Sequence, residues 1–155
     1  MHTIEEMSPA DASDIERLFA EVWLGDAEEY PREWRELRAL GRKAILEEMA
    51  KGYHYFGIRA DGALVCVYKA LITDEVCFGE HLSVSPSYQG KGLASAMYDQ
   101  FLEFAKRNRC KKVRVNILLG HAINERMVKK FGFEKSGEPF YQATSMLVQA
   151  WERQV

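Results

Sequence analysis

The chain has 155 residues, 47% of them hydrophobic and 28% charged, enough apolar material for one core and an ordinary globular composition. A formal net charge of −2 at pH 7 supplies no field to draw the molecule onto nucleic acid or an anionic membrane, and no apolar run approaches the ~18–20 residues of a membrane span. The three cysteines, Cys66, Cys77 and Cys110, lack metal-ligand spacing and read as reduced structural thiols. The expectation is one cytoplasmic domain over residues 1–155 with no metal, nucleic-acid or membrane partner.

Thr3–Met7 reads as a short first strand, and the acidic start of the chain lacks the apolar core of a secretory leader. Ser8-Pro9-Ala10-Asp11 is a helix start: serine as N-cap, proline in the first turn, an acid three residues on. Ile15, Leu18, Phe19, Val22 and Trp23 form one apolar stripe of that helix. Leu24–Glu29, with Gly25 and three acids, reads as a loop. A second helix starts at Pro31 and runs to about Ala50, its imperfect stripe (Trp34, Leu37, Leu40, Ile45, Met49) open to a split at Gly41. Tyr53–Ala60 and Ala63–Ile72 are strands around an Asp61-Gly62 hairpin turn. Thr73-Asp74-Glu75 makes the next turn, and Val76–Ser85 the third strand of an antiparallel meander.

Pro86 ends that strand, and a short loop leads into a strongly periodic helix from Gly92 to Asn108. Lys112–Leu118 follows as a strand, expected parallel to Val76–Ser85 through a right-handed crossover. His121–Phe131 is a further helix, with Gly132 at its C′ position. Phe133–Ser136 and Ala143–Trp151 close the sheet as a hairpin around Gly137-Glu138-Pro139. This order is not doubly wound; it predicts a mixed sheet with helices on both faces.

Two glycines thus stand where a strand hands over to a helix. The first backbone N–H groups of a helix have no internal partner, the helix dipole adds partial positive charge, and glycine lets a bulky anion approach. Such a turn is a backbone cradle for phosphate or pyrophosphate. It is not a P-loop, because Leu93-Ala94 follow Gly92 where a Lys-Ser/Thr pair is required. A dinucleotide site wants an acid at the end of the next strand, and Val113–Leu118 offers none.

The remaining pattern, Val84-x-Pro86-x-x-Gln89-Gly90-x-Gly92-x-Ala94, resembles the acetyl-CoA signature of the GNAT superfamily of N-acetyltransferases. Lys130 with Phe131-Gly132-Phe133 resembles that family's K-x-G-F ending. The resemblance implies an α+β fold, a mixed and mostly antiparallel sheet of about six or seven strands with about four helices. It also implies central parallel strands that splay after the Val84 region. Acetyl-CoA would be the co-substrate, and its acetyl group would pass directly to a primary amine of a small molecule or peptide in a ternary complex. The backbone of Leu82, Ser83 and Val84 is then assigned to the pantetheine and thioester. That of Gln89, Gly90, Lys91, Gly92, Leu93 and Ala94 is assigned to the pyrophosphate, and Asn124, Met127 and Val128 are expected along the cofactor. Superfamily members often dimerise, which makes a homodimer an expectation, with Ala143–Trp151 as a free edge.

Amine acetylation requires a base for the ammonium and tolerates an acid for the leaving sulfur. Glu80 and His81 stand just before the cofactor edge, and strict alternation sends them to opposite faces, Glu80 with Leu82 and Val84. Either can serve as the base. Many GNAT members carry a tyrosine four residues before the glycine of the G-F pair; here that position is Val128. A positioned acid contributes roughly 10²–10⁴ in rate, so its loss slows transfer without forbidding it. Tyr141 and Tyr88 are the candidate replacements. The same gap motivates an alternative, a weak or inactive acyl-CoA-binding regulatory domain. Asp26, Glu28 and Glu29 with Trp23, Tyr30 and Trp34 either stack on a cationic amine or form a solvated acidic loop over core aromatics.

Overall fold

The computed structural model describes residues 2–25 and 29–155, where the two periodicities resolve into seven strands and five α-helices. In chain order these are β1 (Ile4–Glu6), α1 (Ala12–Trp23), α2 (Arg32–Arg38), α3 (Arg42–Ala50), β2 (His54–Ala60), β3 (Ala63–Thr73), β4 (Val76–Val84), α4 (Leu93–Arg107), β5 (Lys112–Leu118), α5 (Ala122–Lys130), β6 (Glu134–Ala143) and β7 (Met146–Gln154). One sheet runs β1-β2-β3-β4-β5-β7-β6, and only the β4–β5 pair is parallel. Among the described residues no helix is long and apolar enough to cross a membrane.

The sheet separates two cores. Ile15, Phe19 and Trp23 of α1, Trp34 of α2 and Ile45 of α3 pack with Tyr55, Val67 and Val148 on one face. Leu93, Met97 and Phe101 of α4 and Val128 of α5 pack with Phe56, Cys66, Val113 and Trp151 on the other. The start of α1 follows the sequence signal: the Ser8 amide donates to Asp11 Oδ2 at 2.8 Å, completing a capping box over a short turn at Pro9–Asp11. The expected second helix is two helices. Gly41 is the N-cap of α3, and Glu16 of α1 accepts from the Arg42 amide at 2.8 Å, so α1 itself caps the new start. The predicted stripe is also displaced. Leu37 is 51% exposed, while Arg38 is buried below Trp34, because positions four apart share the narrow face of a seven-residue helix.

Two irregularities shape the centre. Lys69 pairs with Glu80 and Val67 with Ser83, so Tyr68 faces both His81 and Leu82. This is a β-bulge, with His81 in the left-handed region at φ 57°. It overturns the expected alternation. Glu80 and Ser83 share the α1/α3 face, whereas Leu82 and Val84 pack with the α4 core. The parallel pairing of β4 with β5 runs from Val76↔Lys112 to Gly79↔Val115 and stops there. The splay therefore opens at the bulge, earlier than the Val84 region.

The closing hairpin also differs from expectation. β6 runs through Gly137-Glu138-Pro139 as one strand with a register shift between Ser136 and Phe140, and the turn is at Thr144-Ser145. Pro139 has no N–H to donate, which an edge strand tolerates. β7 is inserted between β5 and β6, so the free edge is β6 and not the last strand.

Candidate active site

The bulge and the lost pairing leave a gap in the middle of the sheet, and a cavity of about 440 Å³ occupies it. β4 lines it with Gly79, Glu80, His81 and Leu82, and β5 with Val115, Asn116 and Ile117. Met97 and Phe101 of α4 form the floor, and Trp23, Tyr30, Trp34, Arg38 and Asn124 form the opposite wall. Gly79 is required where it stands. A Cβ there would lie 2.8 Å from Phe101 Cζ, so any side chain would push α4 off the last paired residue of β4.

The turn after β4 is built as a cradle. Gly90 and Gly92 have φ of 75° and 81°, the left-handed region that glycine enters without strain. Gly92 is the N-cap of α4, with no side-chain cap, and the first helical bond runs from the Ala96 amide to the Gly92 carbonyl at 3.1 Å. The amides of residues 93–95 are left without an intrahelical acceptor. Gln89 Nε2 donates to the Val84 carbonyl at 3.4 Å and closes the loop. Lys91 is exposed, with Nζ 4.9 Å from the Tyr88 ring. Lys130 Nζ donates to Ser95 Oγ at 3.2 Å, which brings a second cation to the first turn of α4. Met127 borders the same turn, with Sδ 3.9 Å from Ser95 Oγ. Leu93 and Val128 are buried in the core and present no side chain to the cradle.

Ser83 anchors the unpaired half of β4: its hydroxyl accepts from Trp23 Nε1 at 2.8 Å and donates to the His81 carbonyl at 3.0 Å. Glu80 and His81 both line the cavity, contrary to the expectation that only one would. Glu80 Oε2 lies 3.9 Å from Lys69 Nζ, and that buried lysine, 2% exposed, is held by both carboxylate oxygens of Glu48 at 2.8 Å. His81 packs edge-on to Phe19 at 6.0 Å. Burial, reinforced by Lys69 and Arg38, pushes its pKa well below the ordinary value and keeps the imidazole neutral.

Three phenols line the cavity: Tyr68 donates to Gln100, Tyr98 stacks on Phe131, and the one held by another cavity residue is Tyr30. Its oxygen accepts from Asn124 Nδ2 at 3.1 Å, and its ring stacks between His121 at 4.7 Å and Trp34 at 5.9 Å. Burial raises its pKa above the usual tyrosine value, so the hydroxyl keeps its proton. Asn124 is held in turn by α5, whose N-cap His121 accepts from the Asn124 amide at 3.3 Å. Tyr141 is 67% exposed on β6, and neither it nor Tyr88 lines the cavity. Of the acidic loop, Asp26 and Glu28 lie outside the described residues, and Glu29 is exposed. Trp23, Tyr30 and Trp34 do come together.

Among the described residues, five buried side-chain polar atoms have no partner, and three of them, Trp34 Nε1, His81 Nδ1 and Asn116 Oδ1, belong to residues of this cavity. Orphaned polar atoms gathered in one cleft are groups that water or a ligand satisfies. Asn116, Arg38 and Lys130 were not singled out as site residues from sequence. The signal for Asn116 was a polar residue inside an apolar strand that stands beside the cradle. That for Arg38 was its place four residues after Trp34.

A sequence model of the acetyltransferase (GNAT) family matches residues 13–133. No curated protein matches the chain. Among solved structures, the chain is similar to the PaiA N-acetyltransferase of Thermoplasma acidophilum in complex with coenzyme A, at TM-score 0.81 and 16% identity, covering 100% of this chain and 99% of that one. It is similar to YncA, a putative acetyltransferase of Salmonella typhimurium with its cofactor acetyl-CoA, at TM-score 0.75 and 17% identity over 99% and 93% of the two chains. It is similar also to the ribosomal-protein-S18-alanine N-acetyltransferase of Escherichia coli, at TM-score 0.75 and 15% identity over 98% and 91%. At these identities the likeness is one of fold.

Proposed function

The chain belongs to the GNAT family of acetyltransferases, and from that premise we propose that it transfers the acetyl group of acetyl-CoA to a primary amine bound in the same cavity. The observation that carries the reading is the juxtaposition of the uncapped α4 start with the half of β4 that has lost its β5 partner. Acetyl-CoA fits these residues. The free amides of residues 93–95, with Lys91 and Lys130 beside them, suit a pyrophosphate, and the backbone of residues 80–84 on the side that lacks a β5 partner suits the amides of a pantetheine arm. Acetyl-CoA supplies an activated acyl thioester.

The amine must lose a proton to attack. Glu80 is the base of this proposal, taking the ammonium proton directly or through one water. His81 is disfavoured because burial depresses its proton affinity. As the new C–N bond forms and the C–S bond breaks, the sulfur needs a proton, and the Tyr30 hydroxyl, oriented by Asn124, is the donor that replaces the absent tyrosine at Val128. The neutral phenol has the right state for that step.

The test has two stages. Thermal shift with acetyl-CoA, CoA, NAD and ATP should show stabilisation by the two CoA species alone, of ~2.7 kcal/mol at about 100 times the dissociation constant. Acetyl transfer to an amine panel should then show turnover that Glu80→Gln lowers by ~10²–10⁴ in kcat without changing the acetyl-CoA shift. A shift with no transfer would leave only the acyl-CoA-binding reading that Val128 favours. No shift with either CoA species would sink both.

A further inference from the structure

Acetyl transfer as proposed above leaves Arg38 without a role. This residue is only 8% exposed and lines the cavity from the end of α2. Its guanidinium lies flat on Trp34, 3.5 Å from the ring centroid, with Trp23 at 5.9 Å. Among the described residues no carboxylate, carbonyl or hydroxyl accepts a hydrogen bond from it, and no ion pair involves it. The guanidinium has five N–H donors and stays charged, and none of its nitrogens is among the fully enclosed polar atoms, so its unpaired donors open on the cavity. The stacking fixes the plane of the fork but satisfies none of its donors. Glu80 contributes only longer-range attraction, and its carboxylate sits beside Lys69 instead.

We propose that Arg38 receives a carboxylate of the acceptor, and that the substrate class is therefore amino acids and close relatives, in which a carboxylate stands next to the reacting amine. This rests on the transfer reading above. The two charges of the cavity are then complementary to a zwitterion, Glu80 towards the ammonium and Arg38 towards the carboxylate. A planar guanidinium matches a carboxylate in bidentate fashion. The remaining wall mixes the apolar and aromatic Trp23, Tyr30, Trp34, Leu37 and Met146 with the polar Asn116 and Gln142, so the carboxylate beside the amine, and not one kind of side chain, defines the class. Polyamines and a lysine side chain within a protein carry no carboxylate beside the amine and are poor fits.

The experiment compares matched acceptors: the proteinogenic amino acids, each against the amine left by removing its carboxylate (phenylalanine against 2-phenylethylamine, for example). CoA release is measured with the wild type, Arg38→Met and Arg38→Lys. The expected result is that the best acids exceed their decarboxylated partners by about tenfold or more in kcat/KM. Arg38→Met should collapse that ratio towards one, mainly through KM for the acid, and Arg38→Lys should restore part of it. Equal use of acids and decarboxylated amines by the wild type, or a preference that survives Arg38→Met, overturns the proposal. If no acceptor is acetylated although acetyl-CoA binds, the transfer reading fails and the carboxylate site is judged by thermal shift. Stabilisation of the CoA-bound protein by the same amino acids that Arg38→Met abolishes supports it, and absence of such a shift overturns it.

Discussion

His81 carries three constraints at once: a left-handed backbone, an edge-on contact with Phe19 and an imidazole held neutral by burial. The last has a consequence for stability. In the unfolded chain the ring takes a proton below about pH 6.5, whereas in the fold it stays neutral well below that. As pH falls through this window the unfolded state binds more protons than the native state, and stability drops. His81→Asn keeps a residue that tolerates positive φ and removes the titration. Its Tm should therefore fall less than that of the wild type between about pH 7 and pH 5. Equal falls would show that other groups dominate the acid limb. The residues of this stretch were legible from sequence, but their directions were not. Leu82 and Val84 are apolar and suit a strand in either phase, so nothing in the pattern marks the inserted residue at His81. Arg38 was hidden for a related reason: sequence reading gave the inward position to the nearest leucine, and the cation stacked on Trp34 took it.

At the scale of elements, β4 is two half-strands, one paired on both sides and one paired only to β3. Gly79 is the joint between them, and Phe101 of α4 sits directly on it. Gly79→Ala should cost about 1–3 kcal/mol, because the ring is packed against Tyr68 and has little room to retreat. Chemical denaturation would measure it, and Gly79→Ala combined with Phe101→Leu should recover part of the loss. A neutral Gly79→Ala would mean that α4 shifts freely over the sheet. Strong periodicity made α4 and the β2–β3–β4 meander readable from sequence almost to their ends. Gly137-Glu138-Pro139 misled because a glycine and a proline signal a turn. On an edge strand the same residues produce a register shift, and the turn falls on Thr144-Ser145, which carries no such mark.

For the molecule as a whole, the sheet is continuous only through four register pairs, Val76↔Lys112 to Gly79↔Val115. The order of elements was readable, and so was the parallel partnership of β4 with β5. The insertion of β7 between β5 and β6 was not, since long-range pairing leaves no local trace in a sequence. The proposed cofactor position lies across the gap below those four pairs. Hydrogen exchange should therefore show the amides of residues 76–79 protected with or without CoA, and those of residues 80–84 that face the gap instead of β3 gaining protection when CoA is added. Uniform protection of both halves in the free protein would mean that the gap closes on itself in solution.

The interrupted edge has one more consequence. A seven-stranded sheet ends in two rows of unpaired backbone groups, each a template on which another chain could pair and begin an aggregate. One end here is β1, only three residues long. The other is β6, whose middle is broken by a proline without an amide and flanked by Glu134, Lys135 and Glu138. The irregularity at Gly137-Glu138-Pro139 thus shields the open side of the sheet from self-association, and a variant that straightened it into a regular, uncharged strand would trade solubility for order.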